Sequence, residues 1–451
     1  MTTIQWVETS ILYCLIYLVL LVRQRRYRLL VPCTIHTLTW LFVSCLIYFT
    51  LTGDLGRAHQ YHTGEFWEYD EVAPFIFGLI VASSVGFTLA HFLSGKHKSA
   101  RFAVRPSSLD RIDYVLKRFH WILYVCLALG TLQAIFLYMA IGFDNLGDYR
   151  YAAVTLKRTG FGAFAQQFSG HATILGSFYL ALLGYRQAYS GIDFKRFFLD
   201  AFLLASTNIA IAGRTWILTV VITFTVPYLW QQNALRKRIL NRDFGIVVAI
   251  VVSMVTLFSV IGVARNNLRG EDENVFFDRF LYYTDGSRVM NLTLSQFPDG
   301  SFEREMGKCE FLSKWIPSKM EKKFLNMKSE DPGMEVTVPS AMPFLYFDFG
   351  YVGSFFAWAF ICFAVEVCAQ RLRSKHTVMG ILAFCEFSKF FFQAPVGNIF
   401  AFEVPIIEWL LILYLLRGVL HLGIEPAKNN ARNTGVAAFL LSPFMHKRYH
   451  R

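Results

Sequence analysis

The chain has 451 residues, 55 % of them hydrophobic and 17 % aromatic, which is more apolar surface than an ordinary soluble domain buries. Its formal charge of +12 would suit nucleic acid in a soluble protein. Here the basic residues cluster in short segments between apolar runs, as the positive-inside bias and anionic headgroups require, so nucleic acid is excluded as a partner.

The apolar runs predict spans over 6–22, 29–52, 72–94, 119–142, 167–185, 197–213, 215–233, 244–263, 344–366, 377–395 and 402–420. That makes about eleven helices, each able to cross a hydrocarbon core of roughly 30 Å. Arg23, Arg25, Arg26 and Arg28 follow the first span, and Lys96, Lys98, Arg101 and Arg105 follow the third. Arg236, Lys237 and Arg238 follow the seventh, and Arg371, Arg373 and Lys375 the ninth. Alternate connections being basic, the amino terminus is expected outside and the carboxyl terminus in the cytoplasm. The pair 197–213 and 215–233 requires a tight outer hairpin at Gly213-Arg214-Thr215; a single span there would invert everything after it. The expected organisation is spans one to eight over 1–263, a large outer loop over 264–343, spans nine to eleven over 344–420, and a basic tail over 421–451. Of the eight cysteines only Cys309 falls in the large loop, which leaves no disulfide framework.

Signatures of soluble enzymes are absent: there is no GxxxxGK[ST], HExxH, paired CxxC or GxSxG. Arginines instead gather on the expected outer face. Arg150 follows Gly147-Asp148-Tyr149, Arg214 sits at the tip of the hairpin, Arg265 emerges after the eighth span, and Arg279 and Arg288 flank Phe280 to Ser287. An arginine at the membrane boundary binds phosphate bidentately and stays charged at any physiological pH. Lipid-facing arginines also snorkel to phosphates without further function, the plainer reading of Arg279. Asp285 and Asp348 are the outer carboxylates nearest spans, candidates either for a general base or for an arginine's ion-pair partner. His36, His91 and His171 are lone span histidines and read as core residues, and Gly350 and Gly353 read as small residues at a close helix contact.

The order Ala212-Gly213-Arg214-Thr215, Val263-Ala264-Arg265, Phe280-Leu281-Tyr282-Tyr283-Thr284-Asp285, Trp315-Ile316-Pro317-Ser318 and Asp348-Phe349-Gly350-Tyr351-Val352-Gly353 resembles the Wzy-type oligosaccharide repeat-unit polymerases, which make O-antigen and enterobacterial common antigen. The chain departs from that family's pattern after Ile316-Pro317, where no second proline follows. The resemblance implies an all-α polytopic membrane protein with a C-type glycosyltransferase (GT-C-like) bundle and one large periplasmic loop, in the bacterial inner membrane. It implies an enzyme that polymerises undecaprenyl-diphosphate-linked repeat units into a surface polysaccharide on the periplasmic face, with no metal and no cofactor. Donor and acceptor would both be lipid-linked glycans, and a chain-length regulator and a flippase would be partners beside the membrane lipids. The diphosphate-binding role passes first to Arg214, Arg265 and Arg288, with Arg150 and Arg279 as helpers, and the catalytic base to Asp285 or Asp348. An O-antigen ligase shares this layout, but an outer-loop histidine is expected of it and none lies between Ala264 and Pro343. A transporter predicts internal repeats and midplane charges, and a membrane acyltransferase needs an embedded catalytic histidine.

Overall fold

Apolar runs become helices because a backbone without water must satisfy its own N–H and C=O groups, which an α-helix does within one segment. The computed structural model describes residues 1–23, 32–53, 69–93, 106–142, 160–209, 215–234, 278–296 and 341–375, together with 252, 256, 391 and 394. Among the described residues there is no strand. The helices in chain order are α1 (Thr3–Arg23), α2 (Pro32–Thr52), α3 (Val72–Leu93), α4 (Pro106–Phe119), α5 (Trp121–Ile141), α6 (Gly160–Ser190), α7 (Phe194–Ile209), α8 (Thr215–Ala234), α9 (Asp278–Gln296) and α10 (Ala341–Lys375).

Five stretches, Thr3–Leu21, Pro32–Thr52, Val72–Leu93, Ile112–Met139 and Phe349–Gln370, are long and apolar enough to cross a membrane. They mark a helical membrane protein. The spans expected at 167–185, 197–213 and 215–233 meet α6, α7 and α8, which fall below that mark: α7 is described over 16 residues, and α6 and α8 end on polar residues such as Gln187 and Gln231. The spans expected at 244–263, 377–395 and 402–420, like the tail 421–451, lie outside the described residues apart from single positions. Hydroxyls inside the helices bond back to carbonyls one turn earlier, Thr37 to Cys33 at 2.7 Å and Thr50 to Leu46 at 2.8 Å, which satisfies them without water. Val352, Phe356 and Phe360 recur every fourth residue along α10 as an exposed apolar stripe, as suits a face turned to lipid.

The helices pack chiefly in two sets, α1, α2, α3, α9 and α10 in one and α4 to α8 in the other, and a continuous cluster of buried side chains runs through both. Contacts fix the helix directions. Trp6 meets Phe77 and the Tyr17 hydroxyl reaches the Ser84 carbonyl, so α1 and α3 run parallel. Phe75 meets Tyr351 edge-on and the Gln370 amide reaches His91, so α3 and α10 run parallel too. In the second set His120 pairs with Asp200 while Gly130 abuts Ser206, which makes α5 and α7 parallel. Gly184 abuts Phe224 and Gln231 donates to Tyr189, which makes α6 and α8 parallel. Since Tyr179 and Thr173 of α6 face Asp200 and Thr207 of α7 in reverse order, α7 and α8 are antiparallel. The chain therefore reverses between Ile209 and Thr215, and this region is two helices rather than one span.

Close helix contact falls on glycines other than those expected. A Cβ on Gly86 would lie 2.2 Å from the Ala359 carbonyl oxygen, and one on Gly184 2.4 Å from that of Phe224. These are backbone-to-backbone approaches that only glycine permits. Gly353 instead faces Phe349 of its own helix. Gly350 kinks α10 with φ +72° and ψ −178°, a conformation essentially restricted to glycine.

Candidate functional site

Most of the segment expected as a loop, 264–343, lies outside the described residues, but 278–296 forms α9. Its sequence is too polar for a span, yet Thr284, Ser287 and Thr293 are fully buried, as are Val289 and Met290. The helix packs against α2, α3 and α10. One side chain fixes its register: the Asn291 Oδ1 accepts hydrogen bonds from the backbone N–H groups of Glu71 and Val72, both at 3.0 Å. These are first-turn donors of α3 that no intrahelical carbonyl can satisfy, so α9 caps α3 from a distance of more than 200 residues in the sequence. At the same end the Thr3 hydroxyl donates to Asp70, and the Ala341 N–H at the start of α10 bonds the Ala394 carbonyl at 3.1 Å. Tyr346, from the short stretch of α10 before the Gly350 kink, packs edge-on against Phe75.

Four of the seven residues expected to form the site lie on α9 and α10, the helices that meet at this corner. Arg279, Asp285 and Arg288 all lie on α9. Asp285 and Arg288 are three residues apart, hence on neighbouring positions of one helix face, and the Arg288 side chain is half-buried. Asp348 lies two residues before the kink in α10, the helix against which α9 packs. Arg150, Arg214 and Arg265 lie outside the described residues, although Arg214 immediately precedes α8. An arginine and two acidic residues thus stand on two touching helices.

Two polar groups escaped the sequence reading. Asp200, on α7 within an expected span, is fully buried and receives three partners: His120 at 3.0 Å, the Tyr179 hydroxyl at 3.1 Å and Arg196 at 3.7 Å. Arg196 also donates to the Tyr179 hydroxyl at 3.2 Å. Burial opposes the Arg196 charge, but the Tyr179 hydroxyl and the Asp200 and Asp113 carboxylates outweigh it and hold its pKa above the ordinary value. Nearby, Arg186 grips Asp113 of α4 with two bonds of 2.8 and 2.9 Å. The α4 helix buries Ile112, Val115 and Leu116 on one face and exposes Lys117 and Arg118 on the other, so this ion pair fastens an amphipathic helix to the bundle. A single carboxylate in an apolar run was the available signal, because an intramembrane charge demands a partner.

The second group is Cys33, His91 and Glu366, from α2, α3 and α10. His36, by contrast, is the core residue expected: it accepts from Trp40 Nε1 at 3.0 Å and is ringed by Phe87, Trp358 and Phe391.

Set against known proteins, the chain matches no family model, no curated protein and no solved structure.

Proposed function

We propose that the protein is a C-type glycosyltransferase of the bacterial inner membrane that polymerises polyprenyl-diphosphate-linked repeat units on the periplasmic face. The observation that carries this reading is α9. A polar helix from the segment expected outside is buried against the starts of α3 and α10, and it sets Arg288 and Asp285 beside the helix that bears Asp348. Lipid-linked diphosphates present their charge at this depth, so the corner suits an anionic headgroup held between lipid and water. The parallel and antiparallel helix directions fit a chain that crosses back and forth, and the reading takes from the sequence an outer amino terminus and about eleven spans.

In this reading a carboxylate, Asp285 or Asp348, takes the proton from an acceptor hydroxyl as its oxygen attacks the anomeric carbon of the donor. The bond from that carbon to the phosphate oxygen breaks, and its electron pair leaves with the diphosphate. Arg288, with Arg214 and Arg265 and with Arg150 and Arg279 in support, stabilises the charge that develops on the leaving group through fixed electrostatics. The substrate is itself the activated donor, so the step needs neither cofactor nor metal.

The test is deletion of the gene followed by electrophoresis of the surface polysaccharide. Loss of the ladder, with one repeat unit left on its lipid carrier or core, supports a polymerase, and an unaltered ladder overturns the reading. Long polymer that stays unattached to the core would instead identify the ligase.

A further inference from the structure

The last turn of α3, the first turn of α2 and the later part of α10 meet at the end of the bundle opposite α9. Here Cys33 Sγ, a ring nitrogen of His91 and a carboxylate oxygen of Glu366 all lie within 4.8 Å of one another. The convergence follows from the packing. Gly86 lets α3 touch the α10 backbone at Ala359, and one to three turns further on His91 faces Glu366 and Gln370. Pro32 opens α2 and places Cys33 in its first turn, at the positive end of the helix. Cys33 and Glu366 are fully buried and His91 is half-buried. Gln370, one turn beyond Glu366, reaches both other side chains, His91 Nδ1 at 2.5 Å and Glu366 Oε1 at 3.1 Å.

We infer that Cys33, His91 and Glu366 form a transition-metal site, with zinc as the preferred ion, that ties α2, α3 and α10 together. Three features of the donors argue for it. A thiolate, an imidazole and a carboxylate form the mixed soft and borderline set that selects zinc over magnesium or calcium. One thiolate and one carboxylate neutralise a divalent cation, which suits a position inside an apolar bundle better than either anion alone. The spacing is compact enough that small side-chain shifts bring all three atoms to a common centre at about 2.0–2.3 Å. In the structure Gln370 donates to His91 Nδ1 and Glu366 Oε1. With the metal on His91 Nε2 the ring proton moves to Nδ1, and the Gln370 amide turns so that its oxygen accepts from it. That makes Gln370 the positioning residue and frees the carboxylate for the metal. Three protein ligands leave a fourth position for water. The site lies at the opposite end of these helices from Arg288 and is independent of the polymerase reading.

The experiment uses the full chain purified in detergent with any polyhistidine tag removed. Elemental analysis should find about one zinc ion per chain. Replacement of zinc by cobalt(II) should give tetrahedral visible bands and a near-ultraviolet sulfur-to-cobalt charge-transfer band. Cys33→Ser should abolish the charge-transfer band, Glu366→Gln should release most of the metal, and Gln370→Ala should weaken affinity about 10- to 100-fold with an unchanged elution profile. Wild-type protein that takes up neither zinc nor cobalt overturns the proposal, as does metal binding that Cys33→Ser and Glu366→Gln leave intact. If those variants aggregate, the wild-type cobalt spectrum decides: a charge-transfer band supports the site and its absence overturns it.

Discussion

The Asp200 corner and the α9 corner bury polar groups in opposite ways. Asp200 is a charged group closed in by His120, Tyr179 and Arg196, and the neighbouring Arg186–Asp113 pair is bidentate. The α9 corner buries neutral hydroxyls and an amide, Thr284, Ser287, Thr293 and Asn291, and leaves Arg288 half-buried at its edge. The first arrangement holds helices together. The second packs a polar helix against α2, α3 and α10 through neutral groups. The difference teaches that a bundle can bury a charge only inside a network of partners, whereas neutral hydroxyls and amides are buried by single hydrogen bonds.

The sharpest way to break this comparison is at Asp200. Asp200→Ala leaves Arg196 and His120 facing an apolar gap, and loss of one partner in a buried ionic network costs about 3–5 kcal/mol. Thermal unfolding in detergent should therefore show a large drop in midpoint, and Asp200→Asn a smaller one because its amide oxygen still accepts from Tyr179. An unchanged midpoint for Asp200→Ala would remove the structural role assigned to the network.

Arg288→Ala should behave in the reverse sense. Polymer formation should fall about 100-fold, the usual loss when one charge-stabilising donor is removed. Stability should stay within about 1 kcal/mol of the wild type, because the side chain is only half-buried. Arg288→Lys should recover part of the activity, since a lysine keeps the charge but lacks the bidentate fork. A stability loss as large as that of Asp200→Ala would make Arg288 a packing residue.

Gly350→Ala is next in size. An alanine at φ +72° and ψ −178° is strained by about 1–3 kcal/mol, so the variant should lower the unfolding midpoint or straighten α10 and displace Asp348. Activity lost with full stability would show that the helix straightened.

How much of this was legible in the sequence depended on how local the signal was. The apolar helices α1, α2, α3 and α10 were, because twenty apolar residues in water have no alternative to burial or lipid. The helix α9 was not, because Asp278–Gln296 has neither an apolar face nor a span's hydropathy, and its burial comes from Asn291 reaching a partner at Glu71. The arginine and carboxylates on α9 and α10 could be singled out by their position between spans, but their sharing of one corner rests on tertiary packing. Asp200 and Glu366 stood in expected spans as isolated acids, and the partners that explain them, His120 and His91, are 80 and 275 residues away. Residue type marked these positions; only the packing of α5 on α7 and α3 on α10 pairs them.

The smallest effect tests the link between the two parts of the α9 corner. Asn291 Oδ1 satisfies two first-turn donors of α3, so Asn291→Ala should cost about 1 kcal/mol, the usual loss of a helix cap. Asn291→Asp keeps the acceptor and adds a negative charge at the positive end of α3, which favours it, while Glu71 beside it opposes that gain. Its unfolding midpoint should therefore lie near the wild type. Polymer formation separates capping from positioning. If α9 merely plugs the bundle, Asn291→Ala loses stability and keeps its ladder. If Asn291 sets the register that presents Arg288, the ladder shortens out of proportion to so small a stability loss, and Asn291→Asp restores it.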